Sequence, residues 1–288
     1  ERIDYDKCVY CGSCMRECPF GAMMDRSQII DILRAKKEGK KVAALFAPAV
    51  AAQFRAPVSK LFSALEKAGF DAVYEVALGA DITAQKEAEE FTERMKKGEP
   101  FMTSSCCPAY VETVRKHIPL LATKVSDTRS PMHYTAELAA REKPDYLRVF
   151  IGPCLAKRKE GIDDELVDFV LSAEEVGALF VAMDIDVAEM EDTKIMSAAK
   201  AGGRNFAIAG GVAASLKEYL PEDCDYHPEL VDGLNKDGMK TLKAWSEGKH
   251  TGNLLEVMAC MGGCIAGPSV IANPKVAAIQ LKKIVENS

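Results

Sequence analysis

The sequence of 288 residues lacks any apolar run near the roughly 20 residues that a membrane-spanning helix needs. It also lacks an excess of basic residues, because 37 Lys and Arg stand against 43 Asp and Glu, which gives a formal net charge of −6. We therefore expect neither a membrane span nor a nucleic-acid partner. The first residues, ERIDYDKC, are charged and unlike a secretory signal peptide, so we expect a cytoplasmic protein.

Histidine is scarce as well, with 4 His against 10 Cys. A secreted disulfide-rich protein would also contain many cysteines, but such proteins are usually far shorter. The spacing of the cysteines and the absence of an export signal favour metal thiolates in a reducing compartment.

Predicted strands and helices alternate along most of the chain. Strands are predicted at 40–48, 71–77, 146–154, 167–172, 205–211 and 254–260, and helices at 28–38, 58–70, 83–98, 173–183 and 212–220. This alternation predicts an α/β fold with parallel sheets covered on both faces. We expect a small segment at 1–27, then one domain at 28–288 in two lobes (about 40–140 and 141–288), each with a mainly parallel sheet. Cys154 and Cys260 end two of these strands, where ligands bind in such sheets.

The stretch CVYCGSCMRECP carries Cys8, Cys11, Cys14 and Cys18 in the C-x2-C-x2-C-x3-C-P pattern of bacterial ferredoxins. Short loops of this kind let three thiolates reach three corners of one [4Fe–4S] cube, and a zinc site fits the spacing poorly. The fourth cysteine normally binds a neighbouring cluster, and no second run is present. Either a partner run precedes residue 1 in a longer protein, which we favour, or Cys18 completes a single cluster.

The other six cysteines lie at four separate places in the sequence. Cys106 and Cys107 are adjacent in TSSCCPAY, and two such neighbours cannot easily bind one metal; the residues alone leave open which of them is a ligand. Cys260 and Cys264 flank two glycines, which let the backbone turn around a bulky ligand. Thiolates without histidine favour iron–sulfur chemistry. Cys224, in the polar stretch PEDCDYHPEL, we take as incidental.

Three stretches resemble the signature loops of a known family. TSSCCPAY, GPCLAKRKE and EVMACMGGCIAGP are similar, in this order, to the loops T-S-C-C-P-x-W, M-P-C-x-x-K-x-x-E and E-x-M-A-C-x-x-G-C-x-x-G-G-G-Q-P of the [FeFe]-hydrogenase catalytic domain. The resemblance covers about residues 40–270. It implies reversible reduction of protons to H₂ with electrons from a ferredoxin-type donor. It also implies an H-cluster, a [4Fe–4S] cube joined through a cysteine to a two-iron unit with CO, cyanide and azadithiolate ligands.

The resemblance assigns a role to each site residue. It implies that the cube is held by Cys107, Cys154, Cys260 and Cys264, with Cys264 as the bridge to the two-iron unit. Cys106 is then the free thiol that relays protons to the azadithiolate amine. Lys157 matches a lysine that donates to a cyanide ligand, and Met258 matches a methionine near the bridging carbonyl. Pro48 and Ala49 match the loop beside the other cyanide.

A proton path is predicted from the helix at 83–98. Glu87 and Glu90 are three residues apart and Arg94 follows four later, so they share one helix face. Ser126 in KVSDTRSP matches the family's relay serine. The implied path is Arg94, Glu90, Ser126, Glu87, Cys106. Taken by itself, the same pattern is also that of an ordinary helix with a salt-bridged face.

Several departures from the family pattern indicate a divergent subgroup. Gly152 stands in place of the methionine of M-P-C, Tyr110 in place of tryptophan, and GPSVIANP in place of the tail of the third loop. Two alternatives follow: an H₂-sensing regulatory hydrogenase with slow turnover, and a hydrogenase-like iron–sulfur assembly protein without the two-iron unit. The second would have no use for Cys106, Lys157 or the glutamate pair. Expected partners are a ferredoxin or another electron carrier, and maturation proteins.

Overall fold

The computed structural model describes residues 2–192 and 198–288. Within them the helices are α1 (Ser13–Arg16), α2 (Ile29–Lys37), α3 (Pro48–Ala51), α4 (Val58–Lys67), α5 (Ala77–Lys96), α6 (Pro108–His117), α7 (Pro131–Glu142), α8 (Ala156–Asp163), α9 (Ala173–Ala182), α10 (Ala201–Asn205), α11 (Gly211–Lys217), α12 (Lys236–Ser246) and α13 (Pro274–Glu286). The strands are β1 (Val42–Phe46), β2 (Ala72–Glu75), β3 (Met102–Thr103), β4 (Leu147–Ile151), β5 (Phe169–Leu171), β6 (Pro228–Asp232) and β7 (Leu254–Met258). Among the helices of these residues, none combines the length and apolar character that crossing a bilayer requires.

The strands form two sheets, and every strand pair is parallel. The first sheet has the order β2-β1-β4-β5 and the second has the order β3-β7-β6. The predicted α/β class with parallel sheets is confirmed.

Both faces of the first sheet are buried. Val42, Ala44 and Phe46 of β1 pack into one apolar cluster, whereas Leu45 joins Phe150 in another on the opposite face. Successive side chains of a strand point to opposite faces, so an unbroken apolar run such as VAALF can fill both cores. The second sheet is covered in the same way, with Leu254 and Leu255 of β7 in two separate clusters.

The predicted division into lobes at residue 140 is wrong for the sheets. β4 and β5 lie after that residue but complete the first sheet, and β1 pairs along its whole length with β4, from Val42↔Leu147 to Phe46↔Ile151. β3 lies before residue 140 but pairs with β7. The alternation of strands and helices identified most elements, but it carries no information about which strands are neighbours.

The strand predicted at 205–211 is also wrong. α10 ends at Asn205, and Gly210, with φ of 87°, is the N-cap of α11, which begins at Gly211. The edge position beside β7 is taken instead by β6, in the segment that looked like polar surface. β6 buries only Val231 fully, because it is an edge strand, so no hydrophobic run marked it.

α5 is longer than predicted and begins six residues earlier, at Ala77. Its first turns contain small residues at which other helices pass closely. A Cβ on Gly79 would lie 2.2 Å from the carbonyl oxygen of Pro131 at the start of α7, and a Cβ on Gly203 of α10 would lie 2.3 Å from that of Ala77. This close packing fixes the helix that carries Glu87, Glu90 and Arg94.

Candidate metal centre

One cavity lies at the carboxyl ends of four strands, two from each sheet. β1 and β4 lead into it from the first sheet, and β3 and β7 from the second. Its lining includes all nine residues for which the resemblance implied a role at the H-cluster, namely Pro48, Ala49, Cys106, Cys107, Cys154, Lys157, Met258, Cys260 and Cys264. Parallel sheets place their ligand sites at this edge.

Cys106 is buried and the other four cavity thiols are partly exposed, and desolvation by the surrounding protein is the main reason that the pKa values of all five are raised. The pKa of Cys154 rises to about 11 and that of Cys264 to about 12, first through burial and then through neighbouring thiols. Burial raises the pKa of Cys107 and Cys260 as well. Thiolates are the form that binds metal, so four of them in this cavity require a compensating positive charge such as that of iron.

The donor set fits a cluster better than a single ion. Over residues 2–192 and 198–288, no three Cys, His, Asp or Glu side chains converge tightly enough to bind one metal ion. One tetrahedral zinc, with zinc–sulfur bonds of about 2.3 Å, would draw its sulfurs to within about 4 Å of one another. A [4Fe–4S] cube offers a separate iron to each of four cysteines. The four sulfurs can therefore lie farther apart than the ligands of a single metal ion.

The adjacent cysteines lie in different surroundings. Cys106 is buried in the apolar cluster that includes Ala84 and Ala88 of α5, whereas Cys107 contacts the cluster on the other side of β3 and immediately precedes Pro108 at the start of α6. The backbone at Cys107 is extended, as is usual before proline, and successive side chains of an extended chain point in opposite directions. The geometry allows one thiol of the pair to bind a cluster while the other does not.

The glycine pair of the third loop has the predicted effect on the backbone. Gly262 and Gly263 both have φ of 90°, a conformation that glycine adopts readily and other residues avoid. A Cβ on Gly263 would lie 2.7 Å from the carbonyl oxygen of Ala207. The tight turn brings Cys260 and Cys264 to the same cavity.

Two departures from the signature loops are accommodated by neighbouring side chains. Tyr110 is fully buried, and its hydroxyl donates to Thr103 Oγ1 at 2.7 Å. At Gly152 a Cβ would lie 2.5 Å from the ring of Phe150, which itself lines the cavity. The aromatic ring thus occupies space that a larger residue at position 152 would need.

Lys157 brings a positive charge to the cavity wall. Its Nζ donates to Glu160 Oε2 at 2.7 Å, and the other carboxylate oxygen of Glu160 accepts from Ser130. Burial by itself would lower the pKa of Lys157, but the Glu160 carboxylate outweighs it, and the net pKa is raised. The side chain therefore remains an ammonium donor at the cavity.

Three residues of the predicted proton path are joined by direct contacts, and the other two, Glu87 and Cys106, lie buried nearby. Arg94 contacts Glu90 Oε1 at 2.7 Å, and Ser126 Oγ donates to Glu90 Oε2 at 2.6 Å. Among the described residues, Glu87 is hydrogen-bonded to Ser105, which precedes Cys106, and not to Ser126 or Cys106 themselves. These residues lie between the exposed Asp127, which Arg94 contacts at 3.2 Å, and the cavity wall at Cys106.

Glu87 and Glu90 differ in their surroundings. Glu87 is fully buried, and burial raises its pKa to about 8; Oε1 accepts from the Ser105 amide at 3.0 Å, whereas Oε2 is buried without a hydrogen-bond partner. The pKa of Glu90 is lowered despite the opposing effect of burial, because Ser126 and other donors, together with Arg94, stabilise its ionised form. Near neutral pH, Glu87 is mostly protonated and Glu90 is ionised.

Sequence reasoning missed four polar residues at this site. Thr128 Oγ1 donates to Glu90 at 2.9 Å, and Ser105 bonds both Glu87 and the Thr128 carbonyl. Glu256 is fully buried and accepts from the amides of Gly210 and Ala213 at 2.8 Å each. All four stand inside stretches that the resemblance already quoted, Ser105 in TSSCCPAY, Thr128 in KVSDTRSP, and Glu160 and Glu256 in the second and third signature loops, and could have been found there.

Comparison with known families agrees with this geometry. Residues 40–268 match the family described as iron only hydrogenase large subunit, C-terminal domain, and residues 1–24 match the 4Fe-4S binding domain. The chain belongs to the iron-only hydrogenase family. The cofactors of this hydrogenase-family chain are accordingly a [4Fe–4S] cluster in the N-terminal segment and an H-cluster in the domain that contains the cavity.

Curated hydrogenases are related to this family member at low identity. It is 29% identical to the NADP-reducing hydrogenase subunit HndD of Solidesulfovibrio fructosivorans, over 90% of this chain and 55% of HndD. It is 28% identical to the periplasmic [Fe] hydrogenase large subunit of Nitratidesulfovibrio vulgaris, over 92% and 85% of the two chains. The chain thus spans about half the length of HndD.

A solved structure and a second group of relatives complete the comparison. An [FeFe]-hydrogenase structure superposes with a TM-score of 0.71 at 19% identity and covers 89% of each chain, which shows the shared fold. The cytosolic Fe-S cluster assembly factor NAR1 of Yarrowia lipolytica is 27% identical over 64% of this chain and 41% of NAR1. Both groups share the iron-only hydrogenase framework, so the framework alone does not decide between their activities.

Proposed function

We propose that this chain is an [FeFe]-hydrogenase that interconverts protons and electrons with H₂. The observation that carries the proposal is the hydrogen-bonded set of Arg94, Glu90 and Ser126, which leads inward from the surface toward the buried carboxyl of Glu87 and the thiol of Cys106 at the cavity. A protein that only held an iron–sulfur cube would not need a path for protons to the cavity.

The cavity residues divide between holding the cofactor and shaping its surroundings. Cys107, Cys154, Cys260 and Cys264 would hold the cube, with Cys264 shared with the two-iron unit. Pro48, Ala49 and Met258 would shape the pocket, in which Lys157 offers its ammonium group to an anionic cyanide ligand. When bound, the two-iron unit supplies the metal site at which protons and electrons combine to form H₂.

The proton path works through groups of different proton affinity. Glu90, ionised and hydrogen-bonded to Ser126, accepts a proton from the solvent side near Arg94. Glu87, with a pKa of about 8, holds a proton near neutral pH and can pass it toward Cys106, whose own pKa is raised by burial so that the thiol stays protonated. General acids of this kind are most effective when their pKa lies near the working pH.

Electrons would enter through the N-terminal segment, for which we propose residues 1–27 as a ferredoxin-like unit before the domain at 28–288. Cys8, Cys11, Cys14 and Cys18 would hold its [4Fe–4S] cluster, and Cys11 also lines the cavity, so the two sites lie side by side. A ferredoxin or another small electron carrier is the proposed donor, and maturation proteins would supply the two-iron unit. We propose a cytoplasmic location, although one named relative is periplasmic.

Iron–sulfur cluster assembly is the second candidate function, and the similarity to NAR1 favours it. This candidate requires cluster-binding cysteines but no proton path. It leaves unexplained the buried carboxyl of Glu87 and the ammonium group of Lys157 held at the cavity wall.

The deciding experiment is maturation of cube-loaded protein with a synthetic two-iron precursor, followed by infrared spectroscopy and an H₂ production assay. We expect CO and cyanide stretching bands together with H₂ evolution from reduced viologen. The same protein without the precursor is the control. Well-folded, cube-loaded protein that shows no such bands would favour assembly, and bands with very slow turnover would favour a sensing role.

A further inference from the structure

Helix α6 connects the cavity to the N-terminal segment. It starts at Pro108, directly after Cys107, and its last turn contacts the loop that carries Cys8. Lys116 Nζ donates to the carbonyl oxygens of Cys8 at 2.7 Å and Tyr5 at 2.9 Å, and His117 Nε2 lies 2.8 Å from the Lys7 carbonyl oxygen.

Lys116 is almost fully enclosed although it lies at a helix end. Its side chain is 8% exposed, its ammonium group lies 3.1 Å from Glu112 Oε2, and it stands 4.9 Å from the centre of the Tyr10 ring. Tyr10 is one of two non-glycine residues with positive φ in the described chain, and its amide lies 3.4 Å from the Cys8 sulfur. Lys116 therefore sits against the turn between Cys8 and Cys11.

An enclosed cation at this place has a definite effect on a cluster. Reduction adds a negative charge to the cluster, and a nearby positive charge in a poorly solvated position stabilises that reduced form. The potentials of iron–sulfur clusters are set in part by such charges, by hydrogen bonds and by solvent exposure. Glu112 offsets part of the charge, but it is shared with the neighbouring Arg115.

We propose that Lys116 positions the Cys8–Cys11 loop on α6 and raises the reduction potential of the N-terminal [4Fe–4S] cluster. It is a positioning residue, because it acts through backbone carbonyls and charge and does not bind the metal. This goes beyond the proposed function and is independent of it, since it requires only the cluster of the matched 4Fe-4S region.

The test compares Lys116→Met with Arg115→Met. Both variants remove one positive charge from α6 and one partner of Glu112, but the Arg115 side chain is 63% exposed and lies outside the contact with the loop. The cluster potential is measured by redox titration followed by electron paramagnetic resonance on the full chain without the two-iron unit. The N-terminal signal is identified as the one that Cys11→Ala removes. For Lys116→Met we expect the equilibrium constant for one-electron reduction of the cluster to fall about tenfold, which corresponds to a reduction potential lower by about 59 mV.

A second measurement follows the loop itself. Hydrogen exchange of the backbone amides at 5–12 should accelerate about tenfold in Lys116→Met and stay unchanged in Arg115→Met. Lys116→Arg, which keeps the charge and can donate to both carbonyls, should restore both the potential and the protection. Equal potentials for Lys116→Met and Arg115→Met, or exchange unchanged in Lys116→Met, would overturn the proposal. H₂ production does not enter either measurement, so failure here is distinct from failure of the proposed function.

Discussion

The cavity and the N-terminal segment hold cysteines in opposite ways. In the cavity, desolvation raises the pKa values of the thiols, whereas in the segment Cys14 is exposed and the pKa of Cys18 is lowered by the backbone amides of residues 20–23. Cavity thiolates therefore depend on the charge of a bound cluster. At Cys18 the segment instead stabilises sulfur charge with backbone N–H groups.

The two regions also differ in what holds them in place. The cavity loops continue from strands of two buried sheets. The segment has no strand within the described residues 2–27 and rests on the domain through Lys116 and through Gly12, where a Cβ would lie 2.6 Å from Pro268 and 2.7 Å from Leu155. The position of the segment therefore depends on these contacts with the domain, whereas the cavity loops are anchored by the sheets.

The largest expected effect is a difference between alanine substitutions of the two adjacent cysteines, Cys106 and Cys107. We expect Cys107→Ala to lose the cavity cube, and Cys106→Ala to keep the cube and the infrared bands but to lose about 10²- to 10⁴-fold in H₂ production, because the last proton donor is gone. Iron content, infrared spectra and H₂ evolution are measured on both, with the N-terminal cluster signal as the internal control. Full activity in Cys106→Ala, or a cube retained in Cys107→Ala, would contradict the assignment.

A smaller loss is expected one step further from the cavity. Glu87→Gln keeps the shape of the side chain but cannot exchange a proton, so we expect H₂ production to fall about 10²-fold with unchanged cluster content. Glu89→Gln is the matched control, because Glu89 is exposed on the same helix and only accepts from Gln85. Equal activities of the two variants would show that protons reach the cavity by another route.

The sequence predicted the cavity residues better than the architecture around them. Cys154 and Cys260 could be placed at strand ends because an unbroken apolar run precedes each of them and parallel sheets bind ligands there. The grouping of β3 with β7 could not be predicted, because a strand of two residues has no periodicity. Ser105 contributes an amide to Glu87, and sequence periodicity does not report backbone donors. The roles assigned to the cavity residues stay predictions until the variants are measured.

The third prediction concerns the cavity loop and the surface. Gly263 and Gly39 both have positive φ, but a Cβ on Gly263 meets backbone at 2.7 Å whereas one on Gly39 meets nothing within 4 Å. We expect Gly263→Ala to lower the free energy of unfolding by about 3 kcal/mol and Gly39→Ala by about 1 kcal/mol, as measured by urea denaturation. Gly12→Ala should instead raise hydrogen exchange in the N-terminal segment alone. If Gly263→Ala and Gly39→Ala lowered the free energy of unfolding by similar amounts, the cavity loop would be able to shift and make room for the added Cβ.

The smallest expected effect is on the pH dependence of the unfolding free energy, to which Glu87 beside the cavity contributes. The pKa of Glu87 rises from 4.5 to about 8 on folding, so the folded chain keeps a proton that the unfolded chain has lost. Its contribution to stability is complete below pH 4.5 and is lost as pH rises toward 8, at no more than about 1.4 kcal/mol per pH unit. Glu256, with a pKa of about 7, acts in the same direction but is largely ionised above that pH. Between pH 7 and 8 the fall in unfolding free energy should therefore flatten in Glu87→Gln and persist in Glu89→Gln; the same slope in both would place the titrating group elsewhere.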